Sequence, residues 1–167
     1  RDPQREGLVS IIHPWEAGRD NSVDWDQAFE RVPTEGISEY TRRDTEHANP
    51  EHRPTKEQYD RYLWLVEHFR SLGWDNSKLH DASPFQVVDP GFNAILIRSC
   101  FDLAALAEEL EMDDVAQRNY AWALQSLESL EDLWSDQHRQ YHSQDLTTAH
   151  LVQRSYIRRL LALYAHN

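Results

Sequence analysis

Residues 89–134, DPGFNAILIRSCFDLAALAEELEMDDVAQRNYAWALQSLESLEDLW, carry the reading that decides the fold. Asp89-Pro90 pairs a capping side chain with a residue whose fixed φ suits a first helical turn, and predicts a helix to about Leu110. Asp113 predicts the cap of a second helix to about Trp134, with Ala121, Leu124, Leu127, Leu130 and Leu133/Trp134 on one face. The link at Glu111–Asp113 is too short for distant partners. The two helices are therefore expected as an antiparallel pair.

Working outward, Asp75–Val88 reads as a loop with a proline break. Thr55 and Gln58 form a capping-box pattern that opens a helix through Leu72, with Tyr59, Tyr62/Leu63, Val66 and Phe69 at helical spacing. Gly73 closes it. Ile37–Pro54 is a long polar loop with room for one helical turn. Ser22 predicts the N-cap of a helix to about Arg31, ended by Pro33 and Gly36. Leu8–Ile12 is a short apolar run, strand-like or irregular. After residue 134 a hairpin-like loop leads to a last helix, Ala149–Ala165, carrying Leu151, Tyr156, Leu160/Leu161 and Tyr164. Roughly five helices make an all-α chain, and periodicity alone leaves an ordinary helical bundle open.

Composition narrows the function classes. A length of 167 residues at 40% hydrophobic content supports a real core. Six tryptophans against five glycines favour a helical protein with aromatic-lined surfaces over a turn-rich β fold. A formal net charge of −12 repels nucleic acid and anionic membrane, and no apolar run is long enough to span a bilayer. Cys100 is the single cysteine, so it reads as a small core residue. The chain begins at Arg1 rather than Met and stops just after an apolar stretch, as a segment of a longer protein does. The expected location is the cytoplasm.

The chemistry concentrates in His13–Ser22, HPWEAGRDNS, followed by Trp25-Asp26. Trp15, Glu16, Asp20 and Asn21 set an aromatic ring beside carboxyls and an amide, which suits a sugar-cleaving site. A carboxyl beside an indole can have its pKa raised for proton donation. An acidic helix start with a half-buried tryptophan is the structural alternative. Among nine histidines, His138 and His142 stand four apart, but no HExxH or paired-cysteine pattern accompanies them. The acidic loop Asp44–Glu51 lacks the spaced calcium pattern. No phosphate loop, nucleophile elbow or cysteine-nucleophile motif is present. No metal or cofactor is expected.

Three segments carry a family resemblance. Trp15, Glu16, Ala17, Gly18, Asp20, Asn21 and Ser22, with Trp25-Asp26, match W-E-(S/A)-G-x-D-(N/D)-S with its later W-D. Asp89-Pro90-Gly91-Phe92-Asn93-Ala94-Ile95-Leu96 matches D-P-x-F-N-A-I-L. Leu133-Trp134 with Tyr141, Ser143, Asp145 and Leu146 matches L-W…Y-x-S-x-D-L. In this order they resemble the inverting (α/α)6-barrel glycosidases: processing α-glucosidases, mannosylglycerate and glucosylglycerate hydrolases, and more distantly trehalases. Val23-Asp24 stands where many members have Pro-Arg, and the Thr34–Pro54 insertion is unusually polar. Those departures bear on substrate rather than on fold.

The resemblance implies that residues 1–167 are part of an (α/α)6 toroid of helical hairpins acting on an α-linked glucoside or mannoside. It places the catalytic general acid at Asp20. Trp15 is a candidate to stack on the sugar, and Asn21 or Arg19 to bond its hydroxyls. Glu16 is a candidate to orient Arg19 or Asn21. A cation at position 19 also suits a substrate carboxylate such as that of a glycosylglycerate. Asn93 is a candidate cavity residue, its alternative being a buried amide bonded to backbone; Asp89 reads first as an N-cap. Trp64, Trp74 and Trp122 read as core. The inverting base lies outside this chain by the same resemblance, so the chain alone is expected to be inactive. It is also expected to need the remainder of the barrel, or to self-associate through exposed apolar faces. A non-catalytic helical binding or oligomerisation module on the same scaffold is the second reading.

Overall fold

The computed structural model describes residues 2, 6–19, 21–44, 46 and 49–152. The chain divides into two compact units, Arg1–Ser10 with Val87–Asn167, and Ile11–Gln86. The helices are α1 (Asp26–Phe29), α2 (Lys56–Ser71), α3 (Asn76–Ala82), α4 (Pro90–Glu109) and α5 (Asp113–Leu130). Among the described residues there are also short 3-10 turns and six two-residue strands: β1 (Ser10–Ile11), β2 (Val87–Val88), β3 (Trp134–Ser135), β4 (Gln140–Tyr141), β5 (Gln144–Asp145) and β6 (His150–Leu151). The chain is helical, with small ladders that an all-α reading did not foresee.

In the first unit, α4 and α5 pack as the antiparallel pair the short link requires. Ala94 and Ile97, early in α4, share a core with Leu130 at the far end of α5 and Leu133 just beyond it, completed by Val88 and Ala123. At the other end the Tyr120 hydroxyl donates to Glu108 at 3.2 Å. Small buried residues, Ala104, Ala107, Ala116 and Ala123, let the two backbones approach closely. Asp89 caps α4 by accepting the Phe92 N–H at 2.7 Å, as its position predicts. β2 pairs antiparallel with β5 and β5 with β6, while β3 and β4 form a separate hairpin.

Several expectations are corrected here. Asp113 is the first residue of α5 rather than its cap, Met112 being the N-cap without a side-chain bond. α5 ends at Leu130 and tightens into a 3-10 turn, Glu131–Leu133, before β3. Its buried stripe runs through Ala116, Asn119, Ala123 and Leu130, leaving Leu124 and Trp122 exposed. His150–Leu151 is a strand and Ala149 and Val152 on either side are not helical; residues 153–165 of the expected last helix lie outside the described residues.

In the Ile11–Gln86 unit, α2 follows its capping box: Thr55 Oγ1 accepts the Gln58 N–H at 3.2 Å, and Gln58 accepts the Thr55 N–H at 2.9 Å. Gly73 takes φ 67°, the left-handed geometry that ends a helix without a Cβ penalty. Trp25, Phe29, Tyr62, Phe69 and Phe85 are the buried aromatics of this unit, with Leu65 buried among its aliphatics. Phe29 stacks on Tyr62 at 4.7 Å and meets Phe85 edge-on at 5.9 Å. The segment expected as one loop, Asp75–Val88, contains α3, capped by Asp75 through the Ser77 N–H at 3.0 Å. The helix expected from Ser22 to Arg31 is shorter: a 3-10 turn, Val23–Trp25, capped by Ser22, runs into α1. Trp74 is exposed rather than core, and Trp64 is half-buried, stacked on His68 at 4.8 Å.

Candidate active site

The described residues of the His13–Asp26 motif form a built structure in the Ile11–Gln86 unit. His13, in extended backbone, caps a 3-10 turn over Pro14–Ala17. Its Nδ1 accepts the Trp15 N–H at 3.1 Å, which assigns the ring proton to Nε2 and makes that atom the donor to the Tyr62 carbonyl, also 3.1 Å away. Glu16 returns the cap: Oε2 accepts the N–H groups of Ile12 at 2.8 Å and His13 at 3.3 Å. Glu16 and His13 thus close the turn reciprocally. Gly18 ends the turn at φ 65°, where a side chain would strain the backbone.

This frame holds Trp15 outward. The residue is 44% exposed, and its ring leans on His13 at 4.6 Å and Tyr62 at 5.5 Å. Beyond Gly18, the Ser22 N–H donates to the Arg19 carbonyl at 2.9 Å, and the Ser22 hydroxyl accepts the Asp24 N–H at 3.3 Å. Arg19 extends its guanidinium to the buried carboxylate of Asp24 at 3.1 Å and over the indole of Trp25 at 5.1 Å. Asn21 is exposed. Asp20 lies outside the described residues.

The polar loop builds a second cluster that sequence reasoning did not single out. Arg42 lays its guanidinium over Tyr59 at 4.6 Å, donates to the Pro54 carbonyl and holds Asp44 at 2.5 Å, where Arg53 joins at 3.3 Å. Chiefly through the Arg42 hydrogen bond, against the effect of burial and with help from Arg53, the Asp44 carboxyl is held down at about 2. Tyr40 stacks on Tyr59 at 5.4 Å and donates to Asp60 at 2.5 Å; burial, then that hydrogen bond, pushes its phenol up to about 12. Burial works to raise Asp60, but Lys56 at 2.7 Å and Tyr40 hold it below the ordinary carboxylate value. Helical spacing places Tyr59 beside Tyr62 on one helix, but nothing local in the sequence ties residues 40–44 to them.

Asn93 belongs to the other unit, where its amide is bonded to backbone. Oδ1 accepts the Val9 N–H at 2.8 Å, and Nδ2 donates to the carbonyls of Val9 and Asp89, each at 2.9 Å. The second and third matched segments meet there as well. The Ser143 hydroxyl donates to Asp89 at 3.1 Å, and Val87 faces Asp145 across β2 and β5. Asp145 in turn accepts the Thr147 N–H and hydroxyl, shaping the turn into β6. His138 and His142 lie 5.1 Å apart as ring centroids, and His142 Nδ1 bonds the Val152 carbonyl at 2.7 Å. Among the described residues, no three His, Cys, Asp or Glu side chains converge to hold a metal.

The sequence matches the "Mannosylglycerate hydrolase MGH1-like glycoside hydrolase domain" over residues 1–167. The chain belongs to that family. It is 50% identical over 146 residues to a mannosylglycerate hydrolase of Thermus thermophilus, covering 87% of this chain and 35% of that protein. A mannosylglycerate hydrolase of the plant Selaginella moellendorffii is 50% identical over 107 residues, covering 64% of this chain and 22% of its own length. The crystal structure of a GH63 mannosylglycerate hydrolase from Thermus thermophilus, in complex with Tris and D-glycerate, superposes with a TM-score of 0.95 at 46% identity. That match covers 99% of this chain and 40% of the other. The chain therefore spans well under half the length of the relatives it matches. The family is enzymatic, its named members being mannosylglycerate or glucosylglycerate hydrolases.

Proposed function

We propose that the complete protein hydrolyses an α-linked glycosylglycerate, mannosylglycerate before glucosylglycerate, by an inverting mechanism within an (α/α)6 toroid of which residues 1–167 are a part. The observation that carries this reading is the frame around Trp15. His13 and Glu16 cap one short turn reciprocally and hold an indole open to solvent, in a segment matching the family's acid motif.

In this account Asp20 is the general acid that protonates the glycosidic oxygen as the bond to the glycerate breaks. Trp15 offers its face to the sugar ring, and exposed Asn21 bonds sugar hydroxyls. Glu16 serves the site by holding the turn. A substrate carboxylate finds its counterpart at the more exposed Arg53, because Asp44 is already matched by the closer Arg42 and the two guanidiniums on one carboxylate leave one positive charge in excess. Asn93 contributes by fixing Val9. The base that activates water on the opposite face of the sugar stands roughly 6.5–9.5 Å from the acid in an inverting site, and comes from outside these residues. No described helix is long and apolar enough to cross a membrane; a cytoplasmic location belongs to the same reading.

The test is hydrolysis of mannosylglycerate and glucosylglycerate by the complete protein, followed by proton NMR from the first turnover. Release of glycerate with the β-sugar appearing first supports the reading. First appearance of the α-sugar, or no release from either compound, contradicts it. Failure of catalysis with retained binding of glycosylglycerates would favour the binding-module reading.

A further inference from the structure

We infer that Arg19 and Asp24 act as a positioning couple that fixes residues 19 and 21–25 of the acid motif, rather than Arg19 binding substrate. The inference rests on the reading of Asp20 as the general acid. Arg19 immediately precedes Asp20 in the sequence, and its carbonyl accepts the Ser22 N–H at 2.9 Å. The Arg19 side chain runs to Asp24, whose carboxylate is almost wholly buried, at 3.1 Å, and lies over the buried indole of Trp25 at 5.1 Å. Asp24 is itself placed by the Ser22 cap, which receives its N–H. Backbone turn, cap, ion pair and cation–π contact thus join residues 19, 22, 24 and 25. A guanidinium held in a partly buried ion pair and stacked on an indole is anchored on two sides, unlike one left open for a ligand.

A general acid must lie within hydrogen-bond reach of the oxygen it protonates, and a displacement of about 1 Å can lower the rate on the order of a hundredfold.

The experiment is a double-mutant cycle in the complete protein, assayed with mannosylglycerate and with mannosyl fluoride, which departs without needing a proton. Arg19→Met and Asp24→Asn are expected to lower kcat for mannosylglycerate by about 10- to 100-fold with KM nearly unchanged, while fluoride hydrolysis falls by less than about threefold. Arg19→Lys is expected to recover part of kcat, and the double variant to lose no more than the worse single one. A rise in KM alone, additive losses, or equal losses on both substrates would overturn the couple. Asp20→Asn separates the two readings. If it spares the fluoride while Arg19→Met does not, only the couple fails; if it loses both substrates alike, the acid assignment fails first.

Discussion

Asn93 bonds both backbone groups of Val9, its Oδ1 taking the N–H at 2.8 Å and its Nδ2 giving to the carbonyl at 2.9 Å. A single α4 side chain thereby fixes a segment 84 residues earlier in the chain. Asn93→Ala takes the amide partner from the part-buried N–H and carbonyl of Val9, while the Asp89 carbonyl keeps the backbone N–H of residue 93, and is expected to cost about 1–3 kcal/mol. Urea unfolding of the purified protein measures it. A change within the error of the wild type would show that water replaces the amide without loss.

The Arg42–Asp44 contact predicts a pH dependence. Asp44 has a folded value of about 2 against an ordinary 3.8. A depressed carboxyl adds stability that is fully present above the ordinary value and is lost as pH falls through the folded one. Thermal melting between about pH 5 and pH 2 should therefore show a loss in the wild type that is smaller in Asp44→Asn. Parallel curves for the two proteins would contradict the pairing.

Trp15 separates binding from packing. With its indole half in solvent, Trp15→Ala should change stability by no more than about 1 kcal/mol, while KM for mannosylglycerate rises about 5- to 10-fold. Trp15→Phe should fall between. A large loss of stability with KM unchanged would assign the ring to the core.

Arg53→Met tests the carboxylate counterpart. It should raise KM for mannosylglycerate about tenfold, the scale of one lost charged hydrogen bond, and leave mannosyl fluoride, which carries no carboxylate, nearly unaffected. Equal effects on both substrates would remove Arg53 from substrate recognition.

Much of this fold is written locally. Thr55 with Gln58 and Asp89 with Pro90 announce helix starts because a cap needs only residues within one turn. The link at Glu111–Asp113 announces a helix pair because its length allows nothing else. The buried face of α5 was misread for a physical reason. Close helix packing selects alanines, so the larger Leu124 and Trp122 mark the exposed side instead of the core. The capping role of Glu16 was invisible since its partners, the N–H groups of Ile12 and His13, precede a turn that short-range periodicity does not signal. The Arg42–Asp44–Arg53 cluster depends on a loop folding back to α2, a long-range event with no sequence period. In the motif itself, residue types were legible and their division between frame and surface was not.

The purified 167-residue chain should not turn over mannosylglycerate, because the proposed base lies elsewhere. Turnover that co-purifies with the chain and vanishes in Asp20→Asn would place both carboxyls inside it.

The most direct test of the account is Asp20→Asn in the complete protein, with kcat measured on mannosylglycerate and on mannosyl fluoride across pH. Loss of a general acid predicts a fall of about 100-fold or more with the glycerate leaving group, little change with fluoride, and disappearance of the basic limb of the pH profile. Equal losses on both substrates, or a basic limb unchanged from the wild type, would contradict the assignment of Asp20 as the proton donor.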